Sequence, residues 1–62
     1  MKKILETYGK DYVLFQQENK YYVEHLPSGE IVRNNVRRGA ELAIRKHRNT
    51  GEWPAIVEKV TV

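Results

Sequence analysis

The residues best equipped for chemistry in this sequence are cations. Arg33, Arg37, Arg38, Arg45, Lys46 and Arg48 stand between positions 33 and 48 against one carboxylate, Glu41, a local net charge of +5. The remainder holds five cations against seven carboxylates, a net of −2, so a mildly acidic body carries one basic element. Such asymmetry bears on partners and not on fold. Arginine grips phosphate or carboxylate through two parallel hydrogen bonds, which lysine cannot do. Lys46, His47 and Arg48 fall where a helix would end, and there the dipole favours positive charge. Arg37 and Arg38 fall in its first turn, where a cation costs roughly a few tenths of a kcal/mol. With Arg33 and the unpaired N–H groups of that turn, they read as a receptor for phosphate or for carboxylates. The anion- or nucleic-acid-binding candidates are Arg33, Arg37, Arg38, Arg45 and Arg48; the competing reading is a solvated face, with Glu41 paired to Arg45.

Catalysis needs a nucleophile or an acid/base pair, and little is on offer. Ser28 is the only serine, Asp11 the only aspartate, and cysteine is absent. A His25–Ser28 hydrogen bond across a turn is conceivable, yet Pro27-Ser28-Gly29 is turn chemistry that already accounts for the serine. His25 and His47 reach one another if the helix lies over the third strand, but two histidines without a third ligand are a weak metal signal. Gly9, Gly29, Gly39 and Gly51 are isolated, so there is no phosphate loop. The expectation is a protein that is not an enzyme, with no cofactor and no metal.

The elements that position these residues follow from periodicity and turn chemistry. Lys2–Tyr8, Tyr12–Gln17, Tyr21–Leu26 and Ile31–Arg33 are strand-like, separated by Gly9-Lys10-Asp11, Glu18-Asn19-Lys20 and Pro27-Ser28-Gly29. Asn34 or Asn35 is suited to cap a helix over 35–49, which Thr50-Gly51 stops and Pro54 prevents from continuing. Val36, Ala40, Ala43, Ile44 and His47 gather on its packing side and the arginines opposite, with Leu42 at the margin. Ala55–Val62 reads as a final strand returning to the sheet, and Trp53 as the cover of one core end. The fold class expected is α+β: one domain over 1–62, an antiparallel sheet of four or five strands, one helix on one face, order β-β-β-(β)-α-β.

Pairing the second and third strands around Glu18-Asn19-Lys20 places Val13, Phe15, Val23 and His25 on one face and Tyr12, Leu14, Tyr22 and Leu26 on the other. Tyr12, Leu14 and Tyr22 are then a candidate interface, available for bases or for a protein. A chain of 62 residues has a thin core, and stability of roughly 3 to 5 kcal/mol is expected without disulfides. Lack of cysteine and of a long apolar run points to the cytoplasm, without membrane contact, as a monomer or weak homodimer.

In element order, Tyr12 to His47 resembles the three-stranded DNA-binding domains of tyrosine integrases and plant AP2 factors, in which the sheet enters the major groove. The basic residues here are on the helix instead. The Ala-rich helix leading through Gly51 and Pro54 into Ile56-Val57-Glu58-Lys59-Val60 is similar in size and order to small phage proteins that inhibit host machinery. Two functions are therefore expected in order: a non-enzymatic module binding a polyanion, nucleic acid foremost, through the arginines; and a phage or mobile-element accessory protein binding an acidic host protein through the sheet face or the same helix.

Overall fold

Four strands in succession form an antiparallel meander, and a fifth joins it after the helix. In a computed structural model that describes residues 1–60, β1 is Lys3–Tyr8, β2 Tyr12–Gln17, β3 Lys20–His25, β4 Glu30–Asn34, α1 Arg37–Thr50 and β5 Glu58–Val60. The sheet order is β1-β2-β3-β4-β5, all neighbours antiparallel. The helix lies over β2, β3 and β4. The α+β class and the element order are those expected from the sequence.

One turn decides which side chains meet the helix. Glu18 and Asn19 both have left-handed backbone, φ 52° and 65°, so the β2–β3 loop is two residues long, of the kind whose twist matches a hairpin. Lys20 belongs to β3 and pairs with Gln17, which sets Leu14 opposite Val23 and Tyr12 opposite His25. A loop of three residues displaces β3 by one position and reverses every side chain in it. This corrects the expected faces. Tyr12, Leu14, Val23 and His25 share the helix side with Val32, whereas Val13, Phe15 and Tyr22 share the other.

The core is Tyr12, Leu14, Val23 and Val32 from the sheet with Ala40 and Ile44 from the helix, all at most 5 % exposed. Burying a side chain the size of Leu14 or Ile44 contributes roughly 1.5–3 kcal/mol. Leu5 and Tyr8 also pack on it, although a spacing of three cannot serve one face of a regular strand. A register shift between Ile4 and Glu6 inserts the extra residue, the work of a β-bulge.

At the helix start the N-cap is Val36, not Asn34 or Asn35, and Val36 is exposed and not part of the packing side. The Asn34 amide oxygen accepts from the Val36 N–H at 3.0 Å. That side chain occupies the space beside Gly39: a Cβ there would meet Asn34 at 2.5 Å. Gly39 is thus needed for the asparagine that turns the chain into the helix. Ala40, Ala43, Ile44 and His47 are buried as expected, and Leu42 stands at the margin. Gly51, with φ 80°, ends the helix by donating its N–H to the His47 carbonyl at 2.8 Å. The last strand is shorter than expected. Ala55–Val57 form a turn, with Ile56 exposed, and Thr61 and Val62 lie outside the described residues.

Candidate functional site

The five arginines divide into two sets. Arg33 lies on the sheet side away from the helix, where its Nη2 donates to Glu58 across the β4–β5 pair. That contact raises the guanidinium pKa and lowers the Glu58 carboxyl. Arg37 reaches two carboxylates, Glu41 at 3.3 Å and Glu6 at 3.6 Å. A cation in the first turn is thereby accounted for: acidic neighbours on β1 and on the helix oppose the unfavourable dipole. Exposed pairs of this sort are worth at most about 1 kcal/mol. Arg38, Arg45 and Arg48 are exposed and, among the described residues, make no ion pair. Arg38, Arg45 and Lys46 occupy the solvent side of α1, opposite Ala40, Ala43 and His47, while Arg48 stands on its flank and borders a cleft lined by Tyr12, His25 and His47.

Beside that face the helix end and the following loop leave apolar groups in the open. Leu42 and Ile56 are 44 % and 67 % exposed, and with Pro54 they line a shallow groove edged by Arg45 and Lys46.

Tyr12, Leu14 and Tyr22 do not form a surface. Tyr12 and Leu14 are buried under the helix, and Tyr22 lies on the opposite face, stacked on Phe15 with centroids 5.0 Å apart. The cause is the two-residue turn. Phe15 is itself only 5 % exposed, sheltered by Tyr22 and by the Lys2 ammonium 4.3 Å above its ring.

A second cluster closes one end of the core. The Tyr12 hydroxyl and His47 Nδ1 are 2.7 Å apart, and the His47 ring stacks on Trp53 at 4.1 Å. The His25 ring centroid lies 4.7 Å from that of His47, and His25 Nδ1 is 2.7 Å from the Ser28 hydroxyl. Ser28 and the Trp53 indole both donate to Glu30 Oε1, at 3.2 and 3.4 Å, while Lys59 pairs with Oε2 at 2.7 Å. The Lys59 contact is the main reason the Glu30 pKa is lowered. Burial, and then His25, lower the pKa of His47, and burial raises that of Tyr12.

The sequence reading brought His25 and His47 together and placed Trp53 over the core end, as found. It missed Glu30. The signal was available in the Leu26–Gly29 turn, which sets Glu30 opposite His25 in the β3–β4 ladder. Among the described residues no helix is long and apolar enough to cross a membrane. No family model, curated protein or solved structure matches this chain.

Proposed function

We propose that this protein is a non-enzymatic binding module that engages a polyanion, nucleic acid foremost, through Arg38, Arg45 and Arg48. The observation that supports the reading is that, among the described residues, these three exposed guanidinium groups make no ion pair. Arg33 and Arg37 are secondary, since each must leave a carboxylate before it meets a phosphate.

For three phosphate contacts, log K on duplex DNA falls with log[salt] at a slope of about −2.7, at about −0.9 per contact. Replacing Arg45 and Arg48 together by Ala flattens that slope by about 2 and weakens binding evenly across sequences, because phosphate contacts position without specifying bases. Arg33→Ala leaves the slope nearly unchanged. A protein that shows no salt-sensitive binding to DNA or RNA at low ionic strength contradicts this reading.

The second reading is an acidic protein partner on the same helix. It is favoured by the apolar groove of Leu42, Pro54 and Ile56, whose rim carries Arg45 and Lys46, the combination an acidic amphipathic segment would fill. Capture from lysate with and without nuclease separates the two: a nuclease-sensitive partner set supports the first, a single nuclease-resistant partner the second.

A further inference from the structure

We propose that His25, His47 and Glu30 form a binding site for a divalent transition cation of the zinc class. One nitrogen of each imidazole and one Glu30 carboxylate oxygen lie within 4.8 Å of one another. A cation bound at about 2.0–2.2 Å needs its ligands roughly 3–3.5 Å apart, so on the order of 1.5 Å must close. The terminal torsions of histidine and glutamate are broad and permit that adjustment.

The surroundings are those of ligating histidines. A metal-bound imidazole almost always donates its other N–H to a fixed acceptor, which sets ring orientation and tautomer. Each ring already has such a partner, and in both cases it sits at Nδ1: Ser28 Oγ for His25 and Tyr12 Oη for His47. When these hydroxyls accept, Nε2 of each ring is left with its lone pair. His47 is held further by the Trp53 stack. Glu30 is steadied at Oε2 by Lys59 and at Oε1 by Ser28 and Trp53, so a cation takes the carboxylate through one oxygen and displaces the contacts on it.

Two imidazoles and one carboxylate suit zinc, copper and nickel rather than magnesium or calcium, which prefer all-oxygen sites. The two histidines border one open cleft, with Tyr8, Asp11 and Arg48, and Glu30 borders another, with Trp53 and Lys59, so the ligands are reached from solvent on either side. The three ligands come from the end of β3, the start of β4 and the last turn of α1. A bound cation therefore ties the helix end to the sheet and stabilises the fold by mass action.

The test is zinc titration of the intact chain in a non-chelating buffer, by calorimetry and by thermal melting. Zinc should raise the melting temperature, EDTA should reverse the rise, and magnesium should have no effect. His25→Gln and Glu30→Gln, both at partly exposed positions, should each weaken zinc binding at least tenfold, and Ser28→Ala about tenfold. Lys59→Met should tighten it severalfold, because it frees Glu30 Oε2. These variants keep the test valid even if His47→Gln fails to fold. A melting temperature indifferent to zinc overturns the proposal. So does a zinc response that survives both His25→Gln and Glu30→Gln, which places the ion elsewhere.

Discussion

The two faces of the sheet bury aromatic residues by different means. On the helix side Tyr12, Leu14, Val23 and Val32 are covered by another element, and all are at most 5 % exposed. On the far side Phe15 is equally buried, but under its own neighbours, the stacked Tyr22 ring and the Lys2 side chain. Interlayer packing depends on every side chain at the contact, because the helix cannot settle onto a gap without moving as a whole. Local stacking within one face is more forgiving, since each ring covers only the next. The helix side should therefore be the sensitive half of the molecule.

The sharpest way to break that contrast is Ile44→Asp, which sets a charge without a partner among Leu14, Val23 and Val32. Against an expected total of about 3 to 5 kcal/mol for a chain of this size, it should abolish the folded state. A cooperative melt close to that of the parent would falsify the assignment of the helix face.

Tyrosine supplies the middle-sized effect. Tyr12→Ser removes a buried ring and leaves His47 Nδ1 without its hydroxyl, so a loss of about 3 kcal/mol is expected. Tyr22→Ser removes only one member of a surface stack and should cost about 1 kcal/mol. Chemical denaturation of both variants checks the comparison; equal losses would show the two faces to be energetically alike.

The smallest effect is set by pH. His47 has its pKa lowered from 6.5 in the folded state, chiefly by burial. The unfolded chain then binds the proton at higher pH than the folded one. The stability associated with neutral His47 is complete above about 6.5 and declines as pH falls below it, until the folded state also protonates. Melting temperatures measured from pH 7.5 to 5.5 should fall in the parent and change less in His47→Gln. An unchanged profile in that variant would assign the acid sensitivity to other groups.

Local signals carried the helix well. Gly51, the Ala40–Ala43–Ile44 spacing and the arginines opposite all pointed one way, and the structure agrees. Its start was less legible, because Asn34 serves the Val36 N–H one step outside the helix and shapes the space that Gly39 leaves open. The strand faces were misread because Glu18-Asn19 is a two-residue turn without the glycine that normally marks one. The acidic neighbours of two of the arginines were hidden for a related reason. Glu58 and Glu6 are distant in the chain from Arg33 and Arg37, and only the strand order brings them together.

What the residues determine by themselves is the α+β meander, the amphipathic helix and the placement of positive charge on its outer side, because period, caps and turn composition are local properties. Tertiary structure alone decided which sheet face is core, which arginines meet a carboxylate, and that His25, His47 and Glu30 converge. Each of those depends on register, and a slip of one residue, which local preferences scarcely resist, sends every side chain of a strand to the other face.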